Sequence, residues 1–104
     1  MNRSAIVISQ FSVCRYSSSI VIVLTNTVFN EVESLLVAPL KIMDGQPYVR
    51  DLQIPCEVNG VLYYIDLLDI ATVSKRGLKP LAEQPLKNMR NEIKAGIDLL
   101  IDGF

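Results

Sequence analysis

The last twenty residues of the chain carry its clearest structural pattern. From residue 85 to residue 104, apolar side chains recur at spacings of three and four, which is typical of one face of an α-helix. Pro85 suits the first helical turn, where its missing N–H costs nothing, and Gly103 is placed to end the helix. The pattern predicts a C-terminal helix with one apolar stripe, formed by Leu86, Met89, Ile93, Ile97 and Leu100.

The charges at the end of this predicted helix oppose the helix dipole. Asp98 and Asp102 lie four residues apart at the C-terminal end, where the macrodipole is already negative. Acidic groups there destabilise a helix by about 0.3–1 kcal/mol each. Because selection for stability alone would favour Lys or Arg at these positions, we predict that this end of the helix is a binding surface.

Gly96 is a second unusual residue of the same helix. A glycine in a helix interior costs about 1 kcal/mol relative to alanine. Either another backbone approaches it closely, as the same helix of a second chain would across a two-fold axis, or it is an exposed glycine that the helix tolerates. The first alternative predicts a dimer interface formed by Ile93, Gly96, Ile97 and Leu100.

The composition is typical of one globular domain spanning residues 1–104. A chain of 104 residues buries about two-thirds of its unfolded surface, and 50% of these residues are hydrophobic. The formal net charge is −1, and Lys75, Arg76 and Lys79 form the only basic cluster. Because nucleic-acid binding relies on clustered Lys and Arg, we do not expect this chain to bind DNA or RNA unaided.

The chain lacks the residue type that most often serves in catalysis. It has no histidine, which removes the commonest general base and metal ligand. Cys14 and Cys56 have no metal-binding spacing, and they are either two idle thiols or one disulfide. We therefore expect a protein that binds and is not an enzyme, with no cofactor and no metal. No export signal or membrane span is recognisable, so we expect it in the cytoplasm, away from the membrane.

Short β-strands are predicted to fill the region before the helix. Residues 5–11 and 20–25 are rich in β-branched side chains and are predicted as strands, with residues 12–19 as a serine-rich loop between them. After them, Val28 and Phe29 are adjacent and apolar, so in a strand they would point to opposite faces. At least one of them is then exposed, unless both pack under a neighbouring loop.

A hairpin is the strongest signal in the middle of the chain. Asn59-Gly60 favours a type I′ turn between strands at residues 52–58 and 61–67. Residues 34–42 form a strand before it, in which Pro39 requires an edge, a bulge or an interruption. Residues 73–81 contain one more short strand. About five antiparallel strands followed by a helix predict an α+β fold, a small SH3-like barrel or curled sheet.

Three segments together resemble the CcdB family of toxins. They are LLVAPL at residues 35–40, DIATV at residues 69–73 and RNEIKAGIDLLIDGF at residues 90–104. Family members typically carry a Val-Ile-Pro-Leu-like strand, a short Met/Ile-Ala/Ser-x-Val element after the hairpin, and a terminal helix ending in Gly-Ile. The order and spacing of the segments match in a chain of about this length, and the resemblance covers most of the chain.

This resemblance implies a function in a toxin–antitoxin module. CcdB proteins are homodimers of SH3-like barrels, with their C-terminal helices near the dyad. They are not enzymes: the dimer binds the A subunit of DNA gyrase and stalls the gyrase–DNA cleavage complex. A CcdA-like antitoxin neutralises the toxin with a disordered segment, and the two proteins together bind and repress their operator DNA.

The resemblance also assigns residues to gyrase binding, and one of them departs from the family. The prototype has a tryptophan before its Gly-Ile terminus that stacks on an arginine of gyrase, whereas this chain has Asp102 there and ends in Phe104. Either the carboxylate keeps the arginine partner through a charge-assisted hydrogen bond, or gyrase poisoning has been lost. The assigned residues are Val28, Phe29, Asp98, Ile101, Asp102, Gly103 and Phe104.

Two other functions fit the same kind of fold. One is a CcdB homologue that no longer poisons gyrase but still binds antitoxin and joins in operator regulation. The other is an mRNA-cleaving toxin of the MazF or Kid type, for which this chain offers Arg15, Arg50 and Arg76. Such an endoribonuclease needs a basic groove, and no dense basic face is evident in the sequence.

Overall fold

An antiparallel, curled β-sheet and one C-terminal helix make up the fold. We analysed a computed structural model that describes residues 8–26, 33–45 and 49–103. The sheet is not closed into a barrel, and the predicted α+β class is confirmed. In the described part of the chain the strands are β1 Val13–Tyr16, β2 Ser19–Val23, β3 Ser34–Ile42, β4 Gln53–Val58, β5 Val61–Asp66, β6 Ala71–Ser74 and β7 Leu78–Pro80, and the helix is α1 Arg90–Asp102.

The long strand β3 is the centre of the sheet. The strands follow the order β4-β5-β3-β2-β1-β7, and β6 pairs with the first half of β3. Residues 34–37 of β3 pair with β6 and residues 40–42 pair with β5, so Pro39 lies where β3 changes partner. On the other side Pro39 is opposite Val21 of β2. The proline therefore interrupts one ladder of a central strand and does not mark an edge, because its nitrogen faces the gap between β5 and β6.

Prolines also occupy both strands at the ends of the sheet. Pro55 lies in β4 opposite Tyr64, and Pro80 lies in β7 opposite Cys14. Residues along an antiparallel strand alternate between facing the neighbouring strand and facing away. Alternation from the Asn59-Gly60 turn places the backbone nitrogen of Pro55 on the side of β4 that faces away from β5. The Leu81 N–H donates to the Val13 carbonyl, so the backbone nitrogen of the preceding residue, Pro80, faces away from β1. Neither proline removes a hydrogen bond from the sheet.

The predicted hairpin is confirmed. Asn59 and Gly60 have φ values of 52° and 81°, the left-handed conformation that a type I′ turn requires. The two arms are β4 and β5, paired from Val58↔Val61 to Gln53↔Asp66. The prediction of β3 is also confirmed, with the bounds that the sequence pattern suggested.

The first strand lies elsewhere than predicted, whereas the second, β2 Ser19–Val23, overlaps the strand predicted at residues 20–25. Residues 1–7 lie outside the described part, and residues 8–12 are not a strand; Phe11 has a φ of 69°. The first described strand, β1, lies inside the predicted loop at residues 12–19, because Val13 and Cys14 are both fully buried, one on each face of the sheet. Only Ser17 and Ser18 form the turn to β2. The region 73–81 also differs, since it contains the end of β6 and all of β7 in place of one strand.

Both faces of the sheet are covered by apolar side chains. One cluster lies between the sheet and α1 and includes Ile22, Leu40, Ile65 and Ile93. Alternation along the strands places the second cluster, which includes Cys14, Val21 and Val37, on the opposite face. This arrangement fixes α1 on one side of the sheet.

Both cysteines are free thiols and are buried. Cys56 belongs to the cluster under α1, and Cys14 to the cluster on the opposite face. Burial raises the pKa of each thiol to about 11, although the charge of Lys87 partly counteracts this for Cys14. The interpretation as two idle thiols therefore fits the structure.

Candidate binding site at the end of the C-terminal helix

Helix α1 ends where the sequence predicts. Gly103 has a φ of 73°, and its N–H donates to the carbonyl of Leu99 at 2.9 Å, which closes the last turn. At the other end, α1 begins later than the predicted start at residue 85: Pro85 lies in a turn, a short 3-10 turn, Lys87–Met89, follows, and Arg90 is the first α-helical residue. Leu86 and Ile93 of the apolar stripe are buried, Met89 and Ile97 are half-buried against the same cluster, and Leu100 is 39% exposed.

The last turn of α1 presents an exposed apolar side chain beside two carboxylates. Ile101 is 74% exposed, the largest fraction among the large apolar side chains of the described residues. Asp98, Asp102 and Gly103 are exposed beside it, and neither carboxylate forms an ion pair with a described residue. We call Asp98, Ile101, Asp102 and Gly103 the helix-end surface. Its side chains are free to contact another molecule.

The charges at the start of α1 also oppose the helix dipole, but they have partners in the fold. The Lys87 Nζ donates to the hydroxyls of Ser9 and Ser12 and to the carbonyl of Gln10. The guanidinium of Arg90 donates to the Gln10 Oε1 at 3.2 Å. The contacts that attach α1 to residues 9–12 therefore explain why these two cations lie at the start of the helix. The acidic groups at the other end of the helix have no such explanation within the described residues.

Gly96 makes a close approach inside the chain. A β-carbon at Gly96 would lie 2.4 Å from the Leu67 Cδ1 and 2.7 Å from the carbonyl oxygen of Asp51. We call these two groups, the Leu67 side chain and the Asp51 carbonyl, the helix seat. The predicted close approach is therefore made by residues of the same chain, and Gly96 is buried, not exposed.

The packing of α1 against its own chain leaves only part of the predicted dimer interface exposed. Ile93 is fully buried and Gly96 lies on the helix seat, so both have little surface left for a second chain. Ile97 is half-buried, and Leu100 keeps 39% of its surface exposed. The dimer interface stays a prediction, and Leu100 is the residue of this set most able to contribute to it.

A buried carboxylate lies behind the helix seat. Asp66 is 3% exposed and accepts hydrogen bonds from the Lys41 Nζ at 2.7 Å, the Gln53 Nε2 at 3.2 Å and the Leu68 N–H at 3.0 Å. Burial alone would raise the pKa of Asp66, but these donors outweigh it and hold the pKa below the ordinary value. Lys41 also contacts Asp69 at 3.2 Å, and its own pKa is raised, chiefly by the hydrogen bond to Asp66.

A cleft of about 640 Å³ runs beside the helix seat. It lies between Arg50 and Asp51 on one side and α1 on the other, with Ile54 and Leu99 among its apolar lining. Sequence reasoning missed both the cleft and the Asp66 network, since each depends on residues far apart in the chain. A carboxylate at the end of an otherwise apolar strand was the only available signal for Asp66.

Some predicted site residues cannot be placed, and others lie apart. Val28, Phe29 and Phe104 lie outside the described residues. Arg15 is on β1 and Arg50 precedes β4, with β2, β3 and β5 between those strands in the sheet order. Among the described residues, no three acidic or cysteine side chains come together as metal ligands, and no helix is long and apolar enough to cross a membrane.

Comparisons with known proteins do not assign the chain to a family. No protein-family model matches it, and no curated protein matches its sequence. The candidate site therefore depends on its own geometry, an exposed isoleucine beside two carboxylates at the end of a firmly packed helix.

Proposed function

We propose that this protein is a CcdB-like toxin that binds the A subunit of DNA gyrase and stalls the gyrase–DNA cleavage complex. The observation that supports the proposal is the exposure of Ile101 beside Asp98 and Asp102. These residues are among those that the resemblance to the CcdB family assigns to gyrase binding. A toxin that acts by binding needs such side chains in reach of its partner.

The chemistry of this surface fits a partner that presents an arginine beside an apolar pocket. Burying an isoleucine side chain contributes about 1.5–3 kcal/mol. A carboxylate accepting from a guanidinium adds about 1.5–3 kcal/mol, which is comparable to the roughly 0.5–2 kcal/mol of an aromatic ring stacked on an arginine. Asp102 can therefore contribute about as much binding free energy as the family tryptophan, through a different type of contact.

The proposal includes the other partners of such a module. The toxin acts in the cytoplasm as a homodimer, in which Leu100 and Ile97 lie near the dyad. A CcdA-like antitoxin neutralises it, and the two proteins bind operator DNA together. No cofactor takes part, because binding to gyrase requires no chemistry from the toxin.

A gyrase assay with the purified protein tests this function. We expect the protein to inhibit supercoiling, to produce linear DNA in the presence of gyrase, and to bind the isolated A subunit. The variant Ile101→Asp should lose all three activities, whereas Leu62→Asp, a change at an exposed residue of the β4–β5 hairpin, should keep them. Absence of linear DNA and of binding to the A subunit would contradict the proposal.

A second candidate function follows from Asp102. Because a carboxylate replaces the ring that stacks on gyrase in the prototype, the chain also fits a homologue that binds antitoxin and operator without poisoning gyrase. Induction in growing cells separates the two: arrested growth favours the toxin, and normal growth with tight antitoxin binding favours the homologue. Cleaved RNA in a primer-extension assay would instead favour the mRNA-cleaving alternative.

A further inference from the structure

We propose that Asp66 is a positioning residue, which holds both groups of the helix seat and thereby sets the direction in which α1 presents the helix-end surface. The effect on partner binding rests on the proposed function, whereas the effect on α1 does not. Asp66 is far from the helix-end surface in the sequence and makes no direct contact with it in the described structure. Its role follows from two separate chains of hydrogen bonds.

The first chain leads to Leu67. The Asp66 carboxylate accepts from the Leu68 N–H at 3.0 Å and so caps the 3-10 turn Leu67–Asp69. Leu67 is fully buried, and its Cδ1 is the atom nearest to the position that a β-carbon of Gly96 would take. This hydrogen bond, together with the one that the Leu67 N–H donates to the Leu52 carbonyl at 2.9 Å, fixes the turn that carries one half of the helix seat.

The second chain leads through Gln53 to Asp51. The Gln53 Nε2 donates to the Asp66 Oδ1 at 3.2 Å, and the Gln53 Oε1 accepts from the Val49 N–H at 2.6 Å. The same turn is closed by the Gln53 N–H, which donates to the Val49 carbonyl at 2.9 Å. Asp51 lies inside this turn with a φ of 71°, a conformation that is uncommon for residues other than glycine and needs support from its surroundings. Gln53 therefore transmits the position of Asp66 to the Asp51 carbonyl.

A displacement of the helix seat would move the helix-end surface, because Gly96, which contacts the seat, lies only a short distance before that surface on α1. Gly96 is five residues before Ile101, a distance of about 7.5 Å along a helix that rises 1.5 Å per residue. Tilting α1 by about ten degrees at Gly96 would move Ile101 by about 1 Å at this rise per residue. Such a shift is enough to misalign a charge-assisted hydrogen bond made by Asp102.

Hydrogen exchange of the isolated protein tests the positioning role without any partner. In Asp66→Ala, we expect amide protection at residues 97–102 to fall about tenfold or more beyond any change in β2 and β3, since Gln53 and Leu68, the donors that lead to the helix seat, lose a charged acceptor. Asp69→Ala is the matched control, because it removes the other carboxylate of Lys41 without touching the helix seat. That variant should keep the protection of α1.

Two further variants separate positioning from general stability. Asp66→Asn loses the ion pair with Lys41 but keeps an oxygen that accepts from Gln53 and Leu68, so it should restore most of the protection of α1. Gln53→Met removes only the hydrogen bonds that link Asp66 to the turn containing Asp51. It replaces Asp66→Ala in this test if Asp66→Ala does not fold. A fall that is equal in α1 and in the sheet, or an unchanged α1, would overturn the proposal. So would an Asp66→Asn protein as defective as Asp66→Ala.

Binding to the gyrase A subunit tests the functional half. If the unaltered protein binds, Gln53→Met should weaken binding several-fold while Asp69→Ala leaves it unchanged. Equal affinities for all three proteins, together with a loosened α1, would show that the direction of α1 does not matter for the partner and would overturn this half. If the unaltered protein does not bind, the proposed function fails, and hydrogen exchange alone decides whether Asp66 positions the helix.

Discussion

The backbone of Gly96 lies directly against the carbonyl oxygen of Asp51. A β-carbon at Gly96 would come within 2.7 Å of that oxygen, closer than atoms of this kind approach each other in folded proteins. The helix that carries the candidate binding surface is therefore seated by a contact that only glycine permits. This contact explains why a residue unfavourable to helices lies in the middle of α1.

Replacing Gly96 by alanine should destabilise the protein. The added methyl group would meet the Leu67 side chain and the Asp51 backbone, and overpacking of this kind typically costs about 1–3 kcal/mol, more than the helix propensity gained. The free energy of unfolding in urea measures the effect. Asn91→Ala, at an exposed position of the same helix, should not lower stability. An alanine at residue 96 that left stability unchanged or raised it would contradict the packing described here.

Replacing Ile101 by serine should separate binding from stability. Because Ile101 is 74% exposed, the free energy of unfolding should change by less than about 0.5 kcal/mol. Affinity for the gyrase A subunit should fall about tenfold or more if this side chain enters an apolar pocket. Leu62→Ser is the matched control, since Leu62 is also exposed, at 56%, but lies on β5. Equal affinities for the two variants would argue against the helix-end surface.

The buried carboxylate of Asp66 should make stability depend on pH in the acidic range. Its pKa in the folded protein is held below the ordinary value of 3.8, so its contribution is complete above that value and is lost as the pH falls through the folded pKa. Lys41 and Asp69 are the charged groups beside it; the pKa of Lys41 is raised, so its contribution is lost only in strongly alkaline solution. Denaturant midpoints between pH 2 and about 6 measure the effect. Asp66→Asn should flatten this dependence, and an unchanged profile would contradict it.

The two thiols should resist modification in the folded protein. Both are buried, and burial raises the pKa of each to about 11, so little thiolate exists near neutral pH. We expect a thiol reagent to label the native protein slowly and to label both cysteines at once after addition of denaturant. Rapid labelling of either cysteine without denaturant would show that the strand carrying it, β1 or β4, opens readily.

Local signals in the sequence were sufficient for several elements. The Asn59-Gly60 turn, the strand β3 and the end of α1 at Gly103 each depend on neighbouring residues, and each prediction is confirmed. The strand β1 was missed because serine-rich segments favour turns, whereas the burial of Val13 and Cys14 decides the structure there.

The helix seat could not be predicted from the sequence, because it depends on contacts between residues that are far apart in the chain. Gly96 meets Asp51 and Leu67, which lie 45 and 29 positions earlier in the chain, and only the folded sheet brings them together. Sequence patterns pointed to the acidic end of the helix, because the cost of Asp98 and Asp102 is a local one. They could not show that Ile101 is exposed beside them.

The outward-facing prolines at the two ends of the sheet limit how another molecule can join it. A strand of another molecule that aligned along β4 or β7 would meet no N–H donor at Pro55 or Pro80, so main-chain pairing would lose a hydrogen bond at each proline. The same prolines discourage copies of this chain from pairing along β4 or β7. Along β4 and β7, another molecule must therefore be bound through contacts with side chains.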